Sequence, residues 1–131
     1  VILKIKNFKM SEEEIEKNSG VPEKSIQSQM RKGILELCIL SILSKADAYP
    51  TEIIEKLKET KLVVVEGTLY PLLTRLKNTG LLAYRWEESN SGPPRKYYKL
   101  TSEGQSYLKE LHESWFDMVT AVNKTIGPIK K

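Results

Sequence analysis

Cysteine and histidine are almost missing from this chain, with Cys38 and His112 as the single examples in 131 residues. A lone thiol closes no intramolecular disulfide, and one thiol with one imidazole supplies none of the paired spacings that hold zinc. Cys38 sits inside the apolar run over residues 34–43, a setting for a small buried side chain and not for an activated nucleophile. No glycine-rich phosphate loop occurs. Carboxylates cluster at Glu12 to Glu14 and at Glu87-Glu88 without the apolar surroundings that would tune them for acid/base work. The expectation is a protein that is not an enzyme and that uses no cofactor and no metal.

Long hydrophobic runs are also lacking. Residues 1–8 interrupt their apolar positions with Lys4 and Lys6, and the run over 34–43 is broken by Glu36 and Ser41. Neither can serve as a secretory core or a membrane-spanning helix, so a cytoplasmic chain without a membrane partner is expected. The sequence opens on Val1, and Met10 and Met30 are both candidate native starts. Internal repeats and low-complexity tracts are absent.

What the chain does have is length for one ordinary core and a formal net charge of +4. Seventeen acidic residues accompany the excess, so a polyanionic partner is implied only where the positive charge is local.

Hydrophobic spacing organises the rest. Residues 11–20 read as a short helix, with Ser11 and Glu14 as a capping box and Gly20 as its stop, inside an N-terminal arm over 1–29. A helix over 25–45 follows from Met30, Ile34, Leu37, Cys38, Leu40 and Leu43, widened by Ile39 and Ile42. A second starts at Pro50, buries Ile53, Ile54 and Leu57, and ends near Lys61. After the β-prone run 62–65, Leu69, Leu72, Leu73 and Leu76 define a third helix closed by Gly80, with Pro71 within or near its first turn. Its outward face carries Thr68, Tyr70, Thr74, Arg75 and Asn78. Leu82, Tyr84 and Trp86 then alternate with Ala83, Arg85 and Glu87. A loop through Asn90, Gly92, Pro93 and Pro94 leads into a second alternating segment over 95–100. Thr101 offers an N-cap to a long helix that runs to Ile126 and stops at Gly127-Pro128. The fold class expected is mainly α with a small β-hairpin: a winged helix-turn-helix over 30–100 plus a C-terminal dimerisation helix and tail over 101–131.

On periodicity alone the third helix fits an ordinary amphipathic surface helix as well as one that docks into a major groove. The neighbouring hairpin adds weight to the second reading. From residue 66 to 100 six cations, Arg75, Lys77, Arg85, Arg95, Lys96 and Lys99, stand against Glu66, Glu87 and Glu88. Tyr97 and Tyr98 point to opposite faces of their strand, so at least one belongs to the core.

Gly67-Thr68-Leu69-Tyr70-Pro71, Arg75-Leu76, Gly80-Leu81-Leu82, Trp86 and Arg95-Lys96-Tyr97-Tyr98-Lys99-Leu100-Thr101 resemble the PadR family pattern in order and spacing. The resemblance extends from about Met30 into the final helix. Tyr49-Pro50-Thr51-Glu52 stands where that family usually has Tyr-Gly-Tyr-Glu. What the resemblance implies is a dimeric repressor whose partner is double-stranded DNA, with the third helix in the major groove and the hairpin beside it. Thr68, Tyr70 and Lys96 are the contact candidates it carries over, and Arg75 is the candidate for reading bases.

Leu108, Leu111, Trp115, Met118 and Val122 repeat at three- and four-residue steps along the last helix, a seam suited to a homodimer. Glu113-Ser114-Trp115-Phe116 is similar to the multidrug-responsive branch of the same family. That likeness implies a small planar hydrophobic effector that binds at the dimer interface, stacks on Trp115 and releases DNA. The alternative is that Trp115 fills the interface with Phe116 and Met118. A winged-helix protein-interaction module that never touches DNA is the rival function, and salt dependence separates the two.

Overall fold

The computed structural model describes residues 34–128. The expected helix over 11–20, the arm over 1–29 and the opening of the first long helix before residue 34 lie outside the described residues.

Three helices follow one another: α1 (Leu35–Lys45), α2 (Pro50–Glu59) and α3 (Glu66–Asn78). A hairpin of β1 (Leu82–Ser89) and β2 (Gly92–Leu100) and the long α4 (Ser102–Ile126) complete the chain. Leu35, Ile39, Leu40 and Leu43 of α1, Ile53 and Leu57 of α2, and Leu69, Leu73 and Leu76 of α3 meet in one core. The i, i+3, i+4 and i+7 spacing of those leucines is what turns one stripe of each helix inward. Leu82 and Tyr98 close the core from the hairpin, and Leu108 and Leu111 of α4 pack against it. This is a winged helix with a long C-terminal helix.

Boundary chemistry sets the angles between these elements. Pro50 opens α2, where its missing N–H costs no helical bond, and the Tyr49 N–H donates to Glu52 Oε1 at 2.9 Å. At the end of α3, Gly80 takes φ 84°, and the Gly80 and Leu81 N–H groups donate to the Lys77 and Leu76 carbonyls. That paired closure requires a left-handed residue, which glycine adopts without strain. Thr101 then caps α4: its Oγ1 accepts from the Gly104 N–H at 3.0 Å and donates to the Gly80 carbonyl at 2.7 Å. One side chain thereby ties the start of α4 to the end of α3.

Three local expectations are corrected. The β-prone run 62–65 forms no strand: among the described residues the one bridge outside the hairpin is made by Ala48 to Tyr98. Val64 is buried, while Val63 and Val65 stay exposed. Second, α3 begins at Glu66, so Pro71 lies in its second turn and leaves the Gly67 carbonyl without its usual helical donor. Third, the hairpin tip is only Asn90-Ser91, and Pro93 and Pro94 belong to β2. The register runs from Leu82 opposite Leu100 to Glu87 opposite Arg95, then shifts before Ser89 meets Gly92. In a two-stranded ribbon every strand has an open edge, and the irregularity spares both prolines a ladder bond they cannot donate.

The segment before α2 adds one more link. Ala48 and Tyr98 exchange both backbone hydrogen bonds, at 3.0 and 2.9 Å, which fixes the hairpin beside the N-terminus of α2.

Candidate nucleic-acid interface

One face of the hairpin runs continuously from the core to solvent. Leu82 pairs with Leu100, Tyr84 with Tyr98 and Trp86 with Lys96, all on the same side because strand side chains alternate. Leu82 and Tyr98 are buried, Tyr84 is half-buried, and Trp86 is 61% exposed. Beyond the reach of the helices this face becomes one wall of a groove of about 490 Å³, with Tyr70 and Thr74 of α3 opposite and Tyr49 and Pro50 at its end.

Lys96 lines that groove with its ammonium 4.6 Å from the Tyr84 ring centre and 5.5 Å from that of Trp86. Two aromatic faces hold the charge in place without neutralising it. Arg95 also lines the groove, its guanidinium 5.2 Å from the Tyr49 ring, and Lys77 stands 5.7 Å from Tyr84. The groove therefore combines two cations, with Lys77 outside its lining, and exposed aromatic and hydroxyl groups, a composition suited to phosphate, sugar and base edges.

Not every cation of the segment takes part. Arg85 binds Asp47 at 3.0 Å and Glu87 at 3.1 Å and lies over Tyr97 at 4.4 Å. The Asp47 hydrogen bond, followed by Glu87, pushes its pKa up. Glu87 also accepts from the Tyr49 phenol at 3.0 Å, and this bond, with burial and the Glu87 charge, raises the phenol pKa. These residues brace the hairpin against the start of α2. Tyr97 packs edge-on to Tyr49 at 4.5 Å, whereas Tyr98 enters the core.

The four residues singled out in the sequence have different surroundings. Tyr70 and Lys96 share the groove. Thr68 is exposed in the first turn of α3. Arg75 does not line the groove; its Nη2 lies 2.7 Å from Glu36 Oε2 of α1. Trp86, Arg95, Tyr49 and Thr74 also line the groove and were not among those four. Of these, Trp86 had the clearest signal, a large aromatic at the far end of an inward-facing series.

The seam residues of α4 divide into two groups. Leu108 and Leu111 are half-buried against this chain's own core, whereas Met118 and Val122 are exposed and Trp115 is 36% exposed. A second cavity of about 720 Å³ opens between α1, α2 and α4, with Leu37, Cys38, Ile42, Tyr97, His112 and Trp115 in its lining. Burial raises the Cys38 pKa, so the thiol is protonated at neutral pH. Among the described residues no group of three His, Cys, Asp or Glu is placed to hold a metal ion, and no helix is long and apolar enough to cross a membrane.

Comparison with known proteins places this geometry in context. Residues 39–110 match the Transcriptional regulator PadR-like family. A PadR-like transcription factor from Bacteroides fragilis is 60% identical over 77% of this chain and 98% of its own, with a TM-score of 0.66. A PadR-like transcriptional regulator from Bacillus cereus is 39% identical over 77% and 99%, with a TM-score of 0.67. One from Eggerthella lenta is 34% identical over 81% and 93%, with a TM-score of 0.74.

Proposed function

Since this chain belongs to the PadR-like family of transcriptional regulators, we propose that it is a cytoplasmic, homodimeric repressor that binds a specific DNA site. The observation that carries the proposal is the groove that sets Tyr70 of α3 across from Lys96 and Trp86 of the hairpin. In this reading residues 30–100 form the DNA-binding unit and residues 101–131 the dimerisation helix and tail. Thr68 and Tyr70 contact DNA from the major-groove helix, and Lys96 holds a phosphate beside it. Two such units related by a dyad demand a roughly palindromic site with half-sites about one helical turn apart.

Salt dependence tests it. Each neutralised phosphate contributes about −0.9 to the slope of log affinity against log salt. With two groove cations per subunit, a dimer is expected to give a slope of roughly −4 on a duplex that it selects from a random-sequence pool. Failure to enrich any duplex, with a salt-insensitive protein partner instead, would identify a protein-interaction module.

The cavity beside Trp115 supports a finer reading, in which a small planar hydrophobic effector enters between α1, α2 and α4 and releases DNA. Stacking contributes only about 0.5–1.5 kcal/mol beyond area burial, so the apolar walls from Leu37 and Ile42 must supply the remainder. Titration with flat neutral and cationic dyes is expected to quench tryptophan emission in the parent and less in Trp115→Ala, which retains Trp86. Equal quenching in both would leave Trp115 as interface filling.

A further inference from the structure

Arg75 occupies the last turn of α3, next to Thr74, yet its guanidinium turns to α1 and pairs with Glu36 at 2.7 Å across 39 positions of sequence. The partners are unequally covered: the Glu36 side chain is 19% exposed and that of Arg75 58%. A carboxylate covered to that degree needs a partner, and Arg75 is the cation that supplies it. Tyr107 of α4 packs partly buried against the same core, and the Glu36 charge, followed by burial, pushes its phenol pKa up. Two helices thus meet at one charged pair. To reach a base, Arg75 would have to break this ion pair and leave Glu36 without its cation.

We propose that Arg75 is a positioning residue and not a base reader: through Glu36 it ties the end of the recognition helix to α1, the helix against which α4 packs. The long helix is then linked to the angle at which α3 meets DNA, which gives events along α4 a direct route to the groove. This inference rests on the DNA-binding reading above.

The test uses the full-length chain and a duplex that it selects from a random-sequence pool, with affinity read by fluorescence anisotropy over a salt series. Arg75→Gln and Glu36→Gln are each expected to weaken binding by about three- to ten-fold, the scale of one partly exposed ion pair. The double variant loses no more than the weaker-binding single, and the salt slope stays at the parent value in all three, because every phosphate keeps its cation. Arg75→Lys, which keeps the charge, binds closer to the parent than Arg75→Gln and serves also if Glu36→Gln loses its fold. If Glu36→Gln binds as well as the parent or better while Arg75→Gln flattens the slope or relaxes base preference, Arg75 contacts DNA and the proposal falls. A parent chain that selects no duplex refutes the DNA-binding reading itself, and with it this inference.

Discussion

Gly104 is the position where one added carbon should do the most damage. It is the buried residue of α4, in the first turn after the Thr101 cap. A Cβ built there falls well inside contact distance of the Leu81 carbonyl oxygen and 2.6 Å from Leu100 Cδ1. The oxygen cannot retreat freely, because it accepts from the Thr101 N–H at 3.1 Å and lies 3.0 Å from Thr101 Oγ1. In Gly104→Ala the start of α4 must move off the hairpin. Overpacking of this kind costs about 1–3 kcal/mol, and losing the shared carbonyl acceptor adds about 0.5–1.5 kcal/mol. Helix propensity returns about 1 kcal/mol to alanine. The balance is a destabilisation of about 0.5–3.5 kcal/mol centred near 2 kcal/mol, and the central value corresponds to a fall of roughly 8–16 °C in the thermal midpoint of a domain this size. Circular dichroism melts at matched protein concentration measure it, with Ser106→Ala at an exposed site of the same helix expected to leave the midpoint unchanged or slightly raised. A Gly104→Ala midpoint at or above that of the parent would refute the packing argument.

Lys96→Ala is expected to weaken binding to all duplexes alike and to flatten the salt slope by about one unit for each phosphate left without its cation, measured by anisotropy on the selected duplex and an unrelated one. Met118→Asp places a charge on the exposed half of α4 and should halve the mass seen by light scattering while the far-ultraviolet spectrum is kept, since Met118 takes no part in the core. An unchanged mass would remove that half of α4 from the interface. Burial raises the Tyr98 phenol pKa above its usual value of about 10, so the folded state holds this proton more tightly than the unfolded one. Its contribution to stability is complete below about pH 10 and is lost as pH rises through the folded value. Chemical denaturation between pH 8 and 11 should show that loss, and Tyr98→Phe should reduce it.

The helices were legible because leucine spacing and boundary residues agreed: Leu69, Leu73 and Leu76 point inward together, Gly80 closes α3, and Thr101 opens α4. Patterning was weaker where tertiary context decides. The branched residues at 62–65 have strand propensity but no partner strand, so propensity alone misleads there. Pro93 and Pro94 read as loop, yet an edge position and a register shift admit both into β2. The candidate site was partly visible, since Tyr70 and Lys96 do share a groove. Trp86 lay hidden in its strand because alternation gives a face and not a depth: the same face that buries Leu82 leaves Trp86 in solvent. The ion pairing of Arg85 and Arg75 was invisible for another reason. Counting cations treats each as available, whereas Asp47 and Glu87 engage the first and Glu36 the second.

Depth along an element also accounts for the division within α4. A helix of 25 residues is about 37 Å long, more than the core of one winged domain can cover from a single side. Its first turns are held at Gly104, Tyr107, Leu108 and Leu111, all against this chain's own core. From Trp115 onward the same three- and four-residue spacing continues through Met118 and Val122 with the side chains exposed, and Phe116 and Ile126 are exposed beside them. Such a row of large apolar groups costs free energy in water, and each one fully buried would return about 1.5–3 kcal/mol. The spacing matches that of a coiled-coil seam, which a second copy of the helix satisfies with the same residues. In that arrangement the inner half of α4 fixes the helix to its own reading head and the outer half fixes two reading heads to each other. The distance between half-sites on DNA would then depend on the angle at which α4 leaves Gly104.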